Sequence, residues 1–428
     1  MSPPLLLALA LAALPAQGAA SSPPTVLPVD AALARWDMAE ARALASAMPK
    51  GADRCAVEGI IANRDNRLDR AVILLAPCVA ALDRSGSPRA EEALAALVDT
   101  YRRRGAFGKE YGLIARWLAA YKDRGDPAAF ADLRNELETA AVLRDLARPR
   151  VTGNGTATLR THLNAVGTRN VDLTIGGVTL PWMIDSGANY SIVSESAARK
   201  MRLAIRDTRY QVTGSTGHSV ATRIAVIDAL PVGGIILHNV VAIVAPDAAL
   251  HIRAPRTDYQ IEAALGFPAL AMLGRFRIDP DGTFAIDRKA PLLRTGAKLY
   301  MNQLTPVAEL EIAGRTSLLS VDTGARRTSL YASYAAGFGG RAGLWSKRRD
   351  MSSGLGGSVE GEIFVEPQLM IMAGTHTVIE HNVPIAPDGD KTNPILGNLG
   401  QPALTALGSY TFDFRSMRLL LGSETKRA

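Results

Sequence analysis

The chain has 428 residues, 47% of them hydrophobic, which is material for two or three packed domains and too apolar a composition for a disordered chain. Lys and Arg outnumber Asp and Glu by 48 to 41, but the basic residues are scattered. The dense runs, "YRRRG" at 101–105 and "SKRRD" at 346–350, lack the interleaved aromatics of a nucleic-acid stripe and read as solvated faces, so no nucleic-acid partner is expected.

Residues 1–20, "MSPPLLLALALAALPAQGAA", hold an apolar stretch from Leu5 to Ala16 followed by small residues. This reads as a secretory signal peptide cut near Gly18 or Ala20, too short to span a bilayer. No second long apolar stretch follows, so no integral membrane segment is expected after its removal, and the mature protein is expected in the periplasm or outside the cell. In that oxidising space the two cysteines, Cys55 and Cys78, are expected to pair. Residues 21–150 are rich in Ala, Leu, Arg and Glu, with apolar residues recurring at three and four positions and Gly or Pro closing most segments. Segments starting near Asp30, Asp65, Arg89 and Lys109 predict helical hairpins. They resemble either a short array of the tetratricopeptide type, which would recruit a protein partner, or a plain helical bundle. No metal or other cofactor is expected here or elsewhere, since no metal-ligand cluster is visible.

"ARPRVTGNGTATLR", 147–160, is a Pro- and Gly-bearing join, after which short alternating runs rich in Val, Ile and Thr predict an all-β region of two parts, 151–295 and 296–428. The parts repeat each other. With Asp185 laid on Asp322, Leu173 falls on Leu310, Ile175 on Ile312, Gly177 on Gly314, Ile184 on Val321, Gly187 on Gly324 and Ala188 on Ala325. Further on, "GHSV" at 217–220 matches "GGSV" at 356–359, "HNVV" at 238–241 matches "HNVP" at 381–384, and "LGFPALAMLGRFRID" at 265–279 answers "LGNLGQPALTALGSYTFD" at 396–413.

In "WMIDSGANYSIV" and "LLSVDTGARRTSL" an apolar run ends on an acid, and a buried carboxylate is costly without a partner. Asp-Ser/Thr-Gly-Ala after an apolar strand, a Gly-rich hairpin, and then "ALG" at 264–266 or "ILG" at 395–397 before a helix together resemble the aspartic proteases. The Ala in fourth position is retroviral-like, and two motifs in one chain are pepsin-like. The resemblance covers roughly 155–422 and implies a multidomain chain: an all-β bilobal acid-protease fold preceded by the α-helical region. Each lobe would give one catalytic aspartate, Asp185 and Asp322, assembling the site within one chain. The two carboxyls would share a proton, one activating water and the other polarising the carbonyl.

By the same resemblance, the hydroxyls of Ser186 and Thr323 lock the loops together, Gly187 and Gly324 let the backbones approach, and Ala264–Gly266 and Ile395–Gly397 brace the loops from behind. Ala188 and Ala325 stand where pepsin-like enzymes usually carry a hydroxyl that donates to the carboxylate, so the dyad is expected to hold its proton to higher pH. Substrate-binding flaps are expected in 210–222, with Thr213, Gly214, Ser215 and Gly217, and in 351–361, with Gly354, Gly356 and Gly357; the alternative is ordinary hairpins. Arg326 and Arg327 either face solvent or favour acidic substrate residues. His238 and His381 hold equivalent places in the repeat and point to a shared turn or strand-start role rather than a metal. Signatures of rival hydrolases (Gly-x-Ser-x-Gly, His-Glu-x-x-His) are absent. The reading is an exported endopeptidase acting on polypeptides; the alternatives are a catalytically silent peptide-binding protein of the same fold, or a scaffold acting through its helical region.

Overall fold

The computed structural model describes residues 27–121, 127–214, 217–254 and 257–423, so the signal-like segment 1–20 and the hairpin residue Ser215 lie outside the described residues. The chain divides between Leu146 and Ala147 into two compact units. The strand Arg150–Gly153 already belongs to the second, so the helical region gives way a few residues before 150.

The first unit is helical: Pro28–Ala34, Met38–Ala47, Ala52–Arg64, Leu68–Ser85, Ala90–Arg103, Phe107–Tyr121 and Pro127–Leu143. Consecutive helices pack because each buries one apolar stripe, such as Ala56, Val57, Ile60 and Ile61 on one and Ala71, Leu75, Val79 and Leu82 on the next. Turns close where the chain reaches the left-handed region, at Gly86 (φ 65°) and Gly105 (φ 61°). Cys55 and Cys78 form a disulfide between the third and fourth of these helices. Closing a loop of that length stabilises a fold by about 3 kcal/mol in the chain-entropy model. No helix among the described residues is long and apolar enough to cross a membrane.

The second unit is built of strands, and the pairings around Asp185 recur around Asp322. The hairpin Arg169–Ile175/Val178–Ile184 corresponds to Thr305–Ile312/Arg315–Val321. Their turns are Gly176–Gly177 (φ 58° and 80°) and Ala313–Gly314 (φ 50° and 74°), which explains the matched glycines, because a turn with two positive φ values favours Gly. The second strand of each hairpin pairs in parallel with a short strand, Ala263–Leu265 or Ile395–Leu399. Each of those also pairs antiparallel with a strand that follows the acidic loop, Ser191–Ser194 or Ser329–Leu330. A short helix opening on Pro then follows, Phe267–Met272 or Gln401–Thr405. The paired "HN" motifs sit in the outer strands Ile235–Ala245 and His376–Ile385, with Asn239 (φ 59°) and Asn382 (φ 56°) in the left-handed conformation that Asn tolerates. The two parts are stitched by pairing of Arg275–Ile278 with Tyr410–Asp413. Phe276, Phe412 and Phe414 stack there in the interior.

Candidate active site

Trp182 and Ile184 are fully buried, and the strand they end delivers Asp185 to a turn; Leu319 and Val321 do the same for Asp322. The Asp185 N–H donates to Leu265 O (3.1 Å) and the Asp322 N–H to Leu399 O (3.0 Å). The loops then face each other. Ser186 N–H donates to Thr323 Oγ1 (2.9 Å) and Thr323 N–H to Ser186 Oγ (3.0 Å). Each hydroxyl in turn donates to the opposite strand end: Ser186 to Val321 O and Thr323 to Ile184 O, both at 2.8 Å. Both side chains are completely buried, so this four-bond lock satisfies every polar atom it hides.

The lock sets the separation of the acids. A β-carbon placed on Gly187 would lie 2.5 Å from Asp322 Cγ, and one placed on Gly324 would lie 2.5 Å from Asp185 Cγ. Glycine is required here for close approach, not for unusual dihedrals. Gly187 and Ala188 N–H groups donate to Asp185 Oδ1 (both 3.0 Å), and Gly324 N–H donates to Asp322 Oδ1 (2.8 Å). Loss of solvation, followed by the negative charge of Asp322, lifts the Asp185 carboxyl well above the usual aspartate range. Burial also lifts Asp322, opposed first by the amide of Asn398 and then by the Gly324 N–H.

Two expectations change. The brace behind the second loop is Asn398–Gly400, not Ile395–Gly397: Leu399 holds the Asp322 N–H, and Gly400 packs on Arg327 as Gly266 packs on Tyr190. The pairing of Arg315–Val321 with Ile395–Leu399 shifts register between Leu318 and Ser320, absorbing one extra residue. Second, Ala325 supplies no hydroxyl, yet Asp322 is not left without a side-chain donor, because Asn398 Nδ2 donates to its Oδ2 at 3.0 Å. Asn398 was missed in the sequence. Matching "LGFPAL" at 265–270 to "LGQPAL" at 399–404 would have found it, since that alignment sets Asn398 on Ala264.

The two segments expected to be flaps are both hairpins. Gln211–Thr213 pairs with Ser219–Ala221, and the longer Ser346–Gly354 pairs with Gly357–Ala373. Each is cross-linked by hydroxyls, Thr213 with Ser219 (2.7 Å) and Ser353 with Ser358 (2.8 Å). Gly356 (φ 92°) and Gly357 (φ 98°) make the second tip. The tips meet: a β-carbon on Gly214 would lie 2.2 Å from Leu355 O, and Gly356 O lies 3.3 Å from His218 Nδ1. Leu355 reaches across to pack against the apolar group of Met183, Leu250, Ile252, Ile261 and Ala264, and Gly356 N–H donates to Ala249 O (2.9 Å). Gly217 (φ 75°) turns the first tip.

Arg327 is part-buried and lines a cavity with Thr328, Arg348 and Glu380. It pairs with Asp350 midway along the long hairpin (2.6 Å) and donates to Met351 O, whereas Arg326 is exposed. His238 Nδ1 lies 3.1 Å from Asp228 O, across the neighbouring strand, and its Nε2 lies 2.8 Å from Thr152 Oγ1. Among the described residues no group of three or more His, Cys, Asp or Glu is placed to hold a metal.

A family model described as aspartyl protease matches residues 171–269, the span that carries Asp185 and its brace. No curated protein matches the sequence significantly. Among solved structures, basic 7S globulin from soybean is similar at 12% identity and a TM-score of 0.40, over 63% of this chain and 94% of that one. Conglutin gamma, a basic 7S globulin from lupine seeds, is similar at 11% identity and a TM-score of 0.39, over 64% and 96%. A retropepsin-like aspartic protease from Rickettsia conorii is similar at 18% identity and a TM-score of 0.24, over 31% of this chain and 99% of that one.

Proposed function

We propose that the protein is an aspartic endopeptidase of two lobes, 151–295 and 296–428, whose one catalytic site is assembled within a single chain from Asp185 and Asp322. The observation that carries this reading is the reciprocal Ser186–Thr323 lock, which presses two buried-edge carboxyls together across glycines that admit no side chain. A purely structural protein has no use for two like charges held at that distance, because they repel and resist ionisation together. The likeness of 171–269 to aspartyl proteases supports the assignment for the first lobe; the recurrence of its pairings supports it for the second.

The dyad holds one proton in the resting state. The ionised carboxylate takes a proton from water as its oxygen attacks the peptide carbon, while the other carboxyl gives its proton to the carbonyl oxygen. A gem-diol results, and the dyad still holds one proton, now on the opposite acid. That proton passes to the leaving nitrogen as the C–N bond breaks, and a diol hydroxyl returns its proton to the first carboxyl. We assign the two hairpins, whose tips meet, the role of flaps that exclude water and pin an extended peptide.

We further propose that the enzyme is exported to the periplasm or secreted, a reading supported by residues 1–20 and by the Cys55–Cys78 disulfide. The helical unit is proposed as a tetratricopeptide-like module for a protein partner. The test is incubation of the purified protein with a random peptide mixture, with and without a statine-type transition-state mimic. Cleavage that the mimic and Asp185→Asn both suppress is expected. Peptide binding by the wild type without any cleavage would overturn the proposal in favour of a silent peptide-binding protein.

A further inference from the structure

We infer that Asn398 places the resting proton of the dyad on Asp185 and leaves Asp322 as the carboxylate that activates water. This rests on the endopeptidase reading and adds an acid and a base to it.

The backbone does not favour that placement: Ala188 N–H donates to Asp185 Oδ1 at 3.0 Å beside the glycine donor, and Ala325 N–H contributes last at Asp322, so the preference has to come from a side chain. Each aspartate accepts at Oδ1 from the glycine two residues on, at 3.0 Å in one loop and 2.8 Å in the other, and each faces the opposite glycine at the same distance. The environments part at one equivalent position, where the strand behind Asp185 carries Ala264 and the strand behind Asp322 carries Asn398. Asn398 Nδ2 donates to Asp322 Oδ2 at 3.0 Å. An amide NH2 group can only donate, so the oxygen it faces is one that accepts, and the ionised carboxylate is favoured there. Ser320 favours that orientation, its one hydroxyl hydrogen being shared between Asn398 Oδ1 at 2.9 Å and Gly397 O at 3.1 Å. A flipped amide would set its oxygen against a carboxylate oxygen. Ala264 offers Asp185 nothing comparable.

The charge environment agrees. Asp185 is lifted by burial and by Asp322, and only backbone N–H groups oppose that lift, whereas the first opposing contribution at Asp322 is the Asn398 amide. Tyr331, half-buried beside Ser320, is pushed up by its loss of solvation and further by Asp322, so it stays neutral in the working range. Arg327 is turned away to Asp350. Burial therefore raises the proton affinity of Asp322, and the Asn398 amide is the first of the contributions that lower it, ahead of the Gly324 N–H, Asp185 and the Ala325 N–H.

The test is a titration of the full-length protein carrying 13C-labelled aspartate carboxyls, with Asp322 identified by the signal lost in Asp322→Asn, run beside a pH profile of kcat/KM. In Asn398→Ala, which gives the second lobe the residue of the first, the Asp322 step and the acid limb of the profile are expected to rise by about one pH unit, since a hydrogen bond to a charged group of ordinary strength corresponds to roughly that shift. The alkaline limb, set by Asp185, should move less. Ser320→Ala keeps the amide but frees its orientation, and should move the acid limb in the same direction by a smaller amount. Titration curves of Asn398→Ala that superimpose on the wild type, or an Asp322 step that falls, would overturn the inference, as would a loss of kcat with an unmoved profile. A wild type that cleaves nothing while its Asp322 step shifts in Asn398→Ala would instead sink the endopeptidase reading and leave the placement of the proton standing.

Discussion

The loop that carries Asp185 and the loop that carries Asp322 share their backbone and differ in their surroundings. Both are locked by the same four hydrogen bonds and both press a glycine against the opposite acid. Behind the first stands Ala264, with Asn189 and Tyr190 following; behind the second stands Asn398, with Arg326 and Arg327 following. The second loop is tied to its own hairpin through Arg327 and Asp350. A duplicated framework fixes geometry equally for both partners, and chemistry that needs an acid and a base must then come from positions where the copies have diverged.

The most severe way to break the comparison is to remove either acid. Asp185→Asn and Asp322→Asn should each lower kcat/KM on a cleaved peptide by on the order of 10⁴-fold, because the pair acts as one unit. Near-normal turnover in either would show that the two loops are not partners. Gly187→Ala and Gly324→Ala come next. Each drives a methyl into the opposite carboxyl, and displacing it by about 1 Å should cost roughly 10²-fold in kcat. Unequal losses would show that one loop yields more readily than its copy.

The lock can be opened from either side. Ser186→Ala leaves the buried Thr323 N–H without an acceptor, and Thr323→Val does the same to Ser186 N–H. Each should lower the unfolding free energy by about 1–3 kcal/mol, read by denaturant titration. The subtlest test separates the lobes by pH. A hydroxyl at 188 would donate to a carboxyl that now has only backbone donors, so Ala188→Ser should move the alkaline limb of kcat/KM to lower pH by up to about one unit. Ala325→Ser should move the acid limb less, since Asn398 already serves Asp322. Equal shifts would mean that Asn398 is not the side-chain donor that matters.

Much of this framework is legible in the chain. The acids, the locking hydroxyls, Gly177 with Gly314, and the paired "HN" motifs announce themselves because each meets a local requirement: a close approach, a positive φ, a buried hydroxyl with a partner. The brace of the second loop is not legible in that way. "LGNLG" offers two Leu-Gly pairs three residues apart, and both satisfy a pattern of apolar residues before a glycine. Only the shifted pairing with Leu318–Val321 chooses between them. The seat of Leu355 on the first lobe is similarly hidden, because a hairpin tip carries no local sign of what it will touch. Gly214 reads as a residue chosen for mobility, and the structure gives it another reason, the carbonyl of Leu355 lying where its side chain would be.

The strand Arg275–Ile278 lies in the first lobe, yet one of its edges is covered by Tyr410–Asp413, near the C-terminal end of the described chain. During synthesis that edge has no mate until Tyr410–Asp413 has been made, more than a hundred residues later, and a row of unpaired backbone groups beside Phe276 is a template for aggregation in the meantime. A truncated first lobe, although it holds its own acid, brace and hairpin, would carry this open edge permanently. The duplication thus records two equivalent pieces, while the shared sheet makes them one folding unit that neither piece completes alone.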